Sequence, residues 1–352
     1  MIQSNLLTKA IRVNNPLLMN ISHSGMAASQ TSIVPHVLHQ MIPAMGAQLV
    51  GLQSLTERLL IAMLCGGHIL IEGPPGVAKT RTIRQFAHLL DTSFVRIQAT
   101  PDLLPADITG SDIYHQPSGE FRFMPGPLFN HIVLVDEINR APPKVQSALL
   151  EAMGEHQVST GGTTRVLEEP FLVAATQNPI EHEGTYPLPE AQLDRFMFFV
   201  QLKLPDIASE RLILNQVLKE NSPSANSLTP GTVIGNSQDI INARKQVQEV
   251  FISEAVRDYI VRLTCATRGE GLGAVARGEI EHAASPRASI YLALATRAHA
   301  WLQQRNHATP DDVALLAPDI LCGRIILDYQ ARAAGISERD IVMRILENTP
   351  RT

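Results

Sequence analysis

The sequence contains few cysteines and no long apolar run, and both absences limit what the protein can be. Its three cysteines, Cys65, Cys265 and Cys322, are far apart, and no CxxC pair occurs. This pattern is typical of a reducing compartment rather than of a disulfide framework. No apolar run approaches the roughly 20 residues of a membrane-spanning helix. We therefore expect a cytoplasmic protein without a membrane span.

Positive charge is also scarce, because 29 lysines and arginines stand against 34 acidic residues and the net charge is −5. Surfaces that bind nucleic acids are normally rich in lysine and arginine, so we expect no nucleic-acid partner. The chain is 45% hydrophobic and 18% charged, which is enough to bury sizeable cores. Its 352 residues suggest two domains, at about 150 residues each.

The most informative stretch of the chain begins at Ile69. The apolar run 69–71 predicts a buried strand, and the spacing of apolar residues over 83–90 predicts one face of a helix. A Gly/Pro-rich loop followed by Lys79 and Thr80 lies between them. Strand, glycine-rich loop, Lys-Thr and helix, in that order, favour a phosphate-binding loop over a chance turn before a helix.

The residue types of this loop suit a nucleotide. Backbone N–H groups at a helix N-terminus point at phosphate oxygens, Lys79 offers a charge to the β- and γ-phosphates, and Thr80 offers a hydroxyl to Mg²⁺. Ala78 stands where the usual motif has glycine, so we expect the loop to close unless this position needs a positive φ. The predicted nucleotide-binding residues here are Gly73, Pro74, Pro75, Gly76, Val77, Ala78, Lys79, Thr80 and Arg81.

A second apolar run, over 131–135, ends in the carboxylates of Asp136 and Glu137. Such a run predicts a central strand that brings both acids to the carboxyl edge of a sheet, where ligands of doubly wound sheets lie. We expect Asp136 to hold Mg²⁺ together with Thr80, and Glu137 to polarise the attacking water. The alternative is an acid pair that merely caps a helix N-terminus.

Five apolar runs interleaved with helical patterns predict an α/β sheet, and they cover residues 69–71, 94–99, 131–136, 171–178 and 196–200. A helix is predicted before the first strand, from Ser54 as its N-cap to Leu64, with Gly66 as its stop. Beyond residue 206 we find only helical patterns, including one over 320–327. The predicted domains are an N-terminal extension and entry helix (1–45), an α/β domain (46–205) and an α-helical domain (206–352).

The order of these motifs resembles the AAA+ ATPases, and the residues between the motifs resemble the MoxR family over about residues 45–330. The resemblance is carried by the stretches 66–73, 94–105, 107–110, 136–143, 175–179, 183–196 and 285–289. It implies an AAA+ P-loop αβα sandwich with a five-stranded parallel sheet, followed by a small all-α lid domain. It also implies ATP and Mg²⁺ as the ligands.

The same resemblance implies roles for three further polar residues. Asn178 matches sensor 1, which orients the attacking water. Arg287 matches sensor 2, which reaches from the lid to the nucleotide of its own subunit. Arg195 matches the arginine finger, which stabilises charge on the neighbouring subunit's γ-phosphate. For each arginine the alternative is a surface ion pair.

Val50 and Gly51 fall where the family closes over the adenine, and Arg140 is a second candidate for the subunit interface. An insertion at residues 100–129 corresponds to the helix-2 insert of this clade. A β-hairpin is predicted in it, and another over 158–166, and in ring-shaped relatives such hairpins face the pore or a ring surface. For the aromatic residues of the insert, simple packing within the hairpin is slightly favoured over contact with a client; they are Tyr114, Phe121 and Phe123.

The resulting hypothesis is a Mg²⁺-dependent ATP hydrolase that forms a homo-oligomeric ring, with six subunits as the expected number. Its expected role is chaperone-like remodelling of a client, together with a partner that carries a von Willebrand factor A domain. One alternative is a scaffold that ATP assembles and slow hydrolysis resets. A DNA-dependent motor and a small-molecule kinase are further alternatives, which the net charge and the two arginines respectively disfavour.

Overall fold

A computed structural model describes residues 36–117, 119–178, 185–220, 232–271 and 278–351. Its strands are β1 (Ile69–Glu72), β2 (Phe94–Gln98), β3 (Gly110–His115), β4 (Glu120–Pro125), β5 (Ile132–Asp136), β6 (Gln157–Thr160), β7 (Thr163–Val166), β8 (Leu172–Gln177), β9 (Phe198–Gln201), β10 (Ile280–His282) and β11 (Ile326–Leu327). Its α-helices are α1 (Met41–Gln48), α2 (Gln53–Cys65), α3 (Lys79–Leu89), α4 (Pro105–Thr109), α5 (Pro143–Glu155), α6 (Glu190–Leu193), α7 (Ile207–Glu220), α8 (Ser237–Glu249), α9 (Glu254–Ala266), α10 (Pro286–Leu302), α11 (Pro310–Leu321), α12 (Tyr329–Ala333) and α13 (Glu338–Asn348).

Five parallel strands form the central sheet, in the order β2-β5-β8-β1-β9. The carboxyl ends of these strands therefore meet at one edge, where Glu72, Asp136 and Gln177 end β1, β5 and β8. The predicted five-stranded parallel sheet is confirmed. Its three inner strands, β5, β8 and β1, are buried over almost their whole length, as expected for strands that are covered on both faces.

Helices cover both faces of the sheet because successive side chains of a strand point to opposite sides. Ile69 and Ile71 belong to an apolar core with α2 and α3, whereas Leu70 between them belongs to a second core with α5. The two cores make the predicted αβα sandwich. They also fix the loop after β1 and the start of α3, because both ends of that loop are anchored in packed elements.

The N-cap of helix α2 lies two residues earlier than predicted. Leu52 is the N-cap and its side chain makes no capping hydrogen bond, so the proposed Ser54 cap is wrong. Glu57 forms ion pairs with Arg58 of the same helix and with His299 of α10. The predicted stop is confirmed, because Gly66 ends the helix with a left-handed φ of +65°.

The C-terminal region is helical as predicted, but the helix over 320–327 is wrong. Helix α11 ends at Leu321, and β11 then pairs with β10 in a short antiparallel sheet. A short apolar run does not by itself distinguish a strand from a helix, which explains the error. Helices α8, α12 and α13 were not predicted.

Helices α8, α10 and α11 pack against the first core rather than forming an isolated one. Trp301 of α10 and Leu59 of α2 are fully buried in the same cluster as Ile69. The boundary between residues 205 and 206 stays a prediction. Residues 1–35 of the predicted N-terminal extension lie outside the described residues, as do residues 221–231 and 272–277. Within the described ranges, no helix is long and apolar enough to cross a membrane.

A buried ionic cluster joins α2 to the C-terminal helices. His299 of α10 lies between two carboxylates, with Nδ1 2.7 Å from Asp312 and Nε2 3.5 Å from Glu57. Arg305 and Thr309 also bind Asp312. Burial alone would lower the pKa of His299, but the hydrogen bonds to Asp312 and Glu57 outweigh it and raise that pKa above its ordinary value.

Replacing His299 by glutamine should therefore destabilise the protein in a pH-dependent way. A raised pKa stabilises the folded state fully below the unfolded-state pKa of about 6.5, and this contribution disappears as the pH rises through the folded-state value. We expect His299→Gln to lower the free energy of unfolding by about 2 kcal/mol at pH 6. The loss should shrink steadily at higher pH in denaturant titrations.

His282→Gln is the matched control, because His282 pairs with Glu190 at 3.3 Å and both side chains are half exposed. An exposed pair of this kind contributes little, so the control should unfold like the wild type at every pH. A His299→Gln loss that does not change with pH would contradict the assignment of a protonated imidazole.

Candidate nucleotide-binding site

The loop after β1 wraps around the side chain of Lys79. Lys79 is the first residue of α3, and its Nζ donates a hydrogen bond of 2.8 Å to the carbonyl of Gly73. Burial lowers the pKa of the Lys79 ammonium, although the carboxylates of Asp136, Glu137 and Glu72 act in the opposite direction. The lysine is thus held at the carboxyl edge of the sheet, with negative charge on the neighbouring strand ends.

The sequence left open whether the φ of Ala78 is positive, and the structure shows that it is. Its φ is +56° and its ψ +24°, so the position needs a positive φ, and the loop closes with alanine in the left-handed region. An L-residue with a Cβ pays a steric cost there that glycine avoids. Gly76 also has a positive φ, +84°, and nothing lies within 4 Å of the place where a Cβ would stand. A phosphate can therefore approach the backbone closely at that point.

Asp136 and Glu137 lie at the end of β5, which is paired with β2 on one side and β8 on the other. Asp136 is 7% exposed. Its Oδ1 accepts a hydrogen bond of 3.1 Å from the hydroxyl of Thr176, and its Oδ2 lies 2.6 Å from Nε of Arg96. The backbone N–H of Glu137 donates to the same Thr176 hydroxyl at 3.1 Å. Thr176 therefore fixes both acids, a role that the sequence analysis missed.

Glu137 itself is held on its other side by two residues of its own chain. Nε2 of Gln98 donates to Oε2 of Glu137 at 3.0 Å, and Nε of Arg140 lies 3.3 Å from the same oxygen. Glu137 has a left-handed φ of +57°, which turns the chain sharply after β5. Arg140, expected at a subunit interface, is thus paired with Glu137 in this structure. Gln98 carried no sequence signal beyond its place at a strand end.

A cavity of about 440 Å³ lies beside the loop. The predicted residues that line it are Val50, Gly51, Gly76, Val77, Ala78 and Arg81. Helix α7 closes the cavity through Ile213, Gln216 and Val217, and the Gln216 side chain donates to the Gln48 carbonyl at 2.9 Å. Residues 48–52, the phosphate loop and α7 therefore lie around one cavity.

Asn178 follows β8 and lines a second cavity, of about 360 Å³. Glu72 and Gln177, at the ends of β1 and β8, line it too, and Arg339 of α13 lines it from the C-terminal region. The predicted sensor 1 residue thus lies at the carboxyl edge of the sheet, as expected for a group near the γ-phosphate.

Arg195, the predicted arginine finger, precedes β9, and Arg287, the predicted sensor 2 residue, lies at the start of α10. Arg195 donates from Nη1 to the carbonyl of Leu150 at 2.9 Å. Arg287 lies 3.7 Å from Asp194. Met197, two residues on from Arg195, bonds to His68 at the start of β1, whereas Lys79 contacts Gly73 beyond its end. Five residues of extended chain separate these points by about 16 Å. That Arg287 reaches the nucleotide of its own subunit stays a prediction.

The aromatic residues of the first hairpin divide into two groups. Phe123 packs against Arg165, whose guanidinium lies 3.7 Å from the centre of the Phe123 ring. Arg165 also pairs with Asp112 at 3.4 Å. This arginine clamps the hairpin β6–β7 to the hairpin β3–β4. Tyr114 and Phe121 contact each other but are 53% and 72% exposed. Packing therefore accounts for Phe123 and leaves an exposed aromatic pair.

Comparison with known proteins agrees with this site. The family model described as ATPase family associated with various cellular activities (AAA) matches residues 68–198, and an AAA lid domain matches residues 273–345. The first match contains the phosphate loop, both acids and Arg195. The second contains Arg287.

The chain is also similar to named proteins over most of its length. It is 43% identical to Chaperone MoxR1 of Mycobacterium tuberculosis, across 89% of this chain and 81% of that one. It is 30% identical to Protein MoxR of Methylorubrum extorquens, across 86% and 91%. A crystal structure from Cytophaga hutchinsonii has a TM-score of 0.82 and 43% identity, and covers 89% of this chain and 94% of that one. The chain belongs to the MoxR family of AAA+ ATPases.

Proposed function

We propose that this protein hydrolyses ATP with Mg²⁺ at a site shared between the subunits of a ring, six in number, and uses the cycle to remodel a client protein. The observation that carries the proposal is the meeting of Lys79, Asp136 and Glu137 at one edge of the sheet beside an open glycine-rich loop. The side chains of Thr80 and Asp136 are suited to Mg²⁺. A hydroxyl from Thr80 and a carboxylate from Asp136 are the hard oxygen ligands that Mg²⁺ prefers.

Each residue then has a distinct task. The loop N–H groups and Lys79 bind the phosphates, and Thr80 with Asp136 holds the metal, which when bound neutralises charge on the phosphoryl oxygens. Glu137 accepts a proton from the attacking water, which Asn178 helps to orient. Val50, Gly51 and α7 enclose the base. Gln98 and Arg140 hold Oε2 of Glu137 and so orient its carboxylate.

The arginines support a shared site. Arg195 directly follows Asp194, and Arg287 lies 3.7 Å from Asp194, so the two arginines are near each other. A neighbouring subunit that places its nucleotide against this surface would meet Arg195. Arg287 keeps its predicted role as sensor 2, on the nucleotide of its own subunit. Arg195 must first leave the Leu150 carbonyl, where it packs so close to Gly154 that a Cβ there would collide with it.

Client remodelling is supported by one relative and by one exposed surface of the chain. The relative named Chaperone MoxR1 supports it, and the exposed Tyr114–Phe121 pair on a clamped hairpin provides a surface for contact. A partner with a von Willebrand factor A domain remains part of the proposal through the family resemblance alone.

A nucleotide-gated scaffold is the second candidate, and one observation favours it. Gln98 and Arg140 hold Glu137, and Arg96 holds Asp136. In the scaffold reading, hydrolysis is slow because these contacts have to weaken first. Turnover that rises when a client is added favours the remodelling function, and turnover that stays slow favours the scaffold.

Replacing Glu137 by glutamine is the direct test of the hydrolytic function. The amide cannot accept the water's proton, so turnover should fall at least about 100-fold while ATP still binds. Equilibrium binding of a fluorescent ATP analogue and phosphate release measure the two effects separately. The control is Glu151→Gln, since Glu151 is an exposed residue of α5. Undiminished turnover in Glu137→Gln would remove Glu137 from its role.

Replacing Ala78 by glycine should stabilise the nucleotide-free protein. Glycine tolerates a φ of +56° without the steric cost that alanine pays, and the expected gain in the free energy of unfolding is about 1 kcal/mol. Ala87→Gly, in the interior of α3, should have the opposite effect, with a loss of about 1 kcal/mol or more. Thermal melting of the two variants checks the prediction, and a loss of stability in Ala78→Gly would contradict the strain assigned to this position.

A further inference from the structure

Asp136, the carboxylate assigned to Mg²⁺, already has a cation bound to it. Nε of Arg96 lies 2.6 Å from Oδ2 of Asp136, and the hydroxyl of Thr176 donates to the other oxygen at 3.1 Å. Both carboxylate oxygens therefore have partners from the protein. The ion pair is short enough to be a strong, charge-assisted hydrogen bond.

In the proposed site, Arg96 and Mg²⁺ are both attracted to the negative charge of the Asp136 carboxylate. A carboxylate oxygen that accepts a hydrogen bond from a guanidinium is a weaker metal ligand, and a guanidinium repels a divalent cation placed beside it. Each of the two cations therefore weakens the binding of the other. Arg96 is the group that can move, because its side chain is 48% exposed and stands on β2, the edge strand of the sheet, whereas the Asp136 side chain is only 10% exposed.

The position of Arg96 also affects the second acid. Nη2 of Arg96 donates to Oε1 of Gln98 at 3.3 Å, and Nε2 of the same amide donates to Glu137 at 3.0 Å. The arginine thus holds the amide oxygen on one side, which leaves the amide nitrogen facing Glu137. A single displacement of Arg96 would loosen the groups that hold both Asp136 and Glu137.

We propose that Arg96 is an internal counter-ion that competes with Mg²⁺ for Asp136, and so sets the metal concentration at which the site becomes loaded. The proposal rests on the proposed function, because it assumes that Asp136 holds the metal. Arg96 is a positioning residue here. Until Mg²⁺ binds, Arg96 neutralises Asp136 and holds the Gln98 amide against Glu137.

The test measures metal binding directly, with Mn²⁺ as the probe and a non-hydrolysable ATP analogue present. Electron paramagnetic resonance of free Mn²⁺ gives the half-saturating concentration for the full-length protein. Removal of the competing cation in Arg96→Met should lower that concentration about tenfold, since the metal no longer displaces a charge-assisted hydrogen bond. Arg96→Lys keeps the charge and should stay near the wild-type value.

Arg257→Met is the control for loss of an arginine. Arg257 is exposed on α9, so its replacement should leave Mn²⁺ binding unchanged. Arg96→Gln provides a second neutral variant, which can still donate a hydrogen bond to Asp136 and so protects the test against misfolding of Arg96→Met. Thermal melting of each variant confirms the fold.

The outcomes separate the two proposals. Tighter Mn²⁺ binding in the neutral variants, with Arg96→Lys unchanged, supports the competition. Equal or weaker binding in both folded neutral variants overturns it and leaves Arg96 as a structural ion pair. If the wild type binds no Mn²⁺ together with the nucleotide analogue, the assignment of Asp136 as a metal ligand fails, and the proposed function fails with it.

Discussion

Two adjacent carboxylates at the end of a buried strand are the constraint on which the site depends. Asp136 is almost fully buried, and charge in such a place needs a partner. The parallel order β2-β5-β8 supplies those partners, because it places Arg96 and Gln98 on one side of the acids and Thr176 on the other. Asp136, Glu137 and these partners thus form one connected polar network.

The same sheet separates the remaining parts of the machinery. The phosphate loop follows the carboxyl end of β1, whereas Arg195 lies two residues before Met197, which bonds to His68 at the amino end of β1. In the proposed ring, the loop of one subunit and Arg195 of the next complete one site, which is head-to-tail assembly. The role of Arg195 rests on the family resemblance, and its place before β9 is compatible with that role.

The sequence predicted the features that depend on local pattern. The strand, loop and helix around Lys79 and the strand before Asp136 carry both periodicity and chemistry, so their places were correct. The partners of the acids could not be predicted, because Arg96, Gln98 and Thr176 meet only through strand order and register. The sign of φ at Ala78 was left open for a similar reason, since it depends on how the loop closes on Gly73. The small β10–β11 sheet was missed because its strands are too short to show a period.

A mixing experiment tests the shared site most directly. The variants Lys79→Ala and Arg195→Ala should each be inactive, the first because it lacks the phosphate lysine and the second because it lacks the arginine given to the neighbour. A mixed ring contains interfaces at which an intact loop faces an intact arginine, so ATP hydrolysis should partly recover when the two are mixed. The wild-type rate per subunit should also rise with protein concentration. No recovery on mixing, together with a rate per subunit that is unchanged on dilution, would show that one chain contains the whole site and would contradict the ring mechanism.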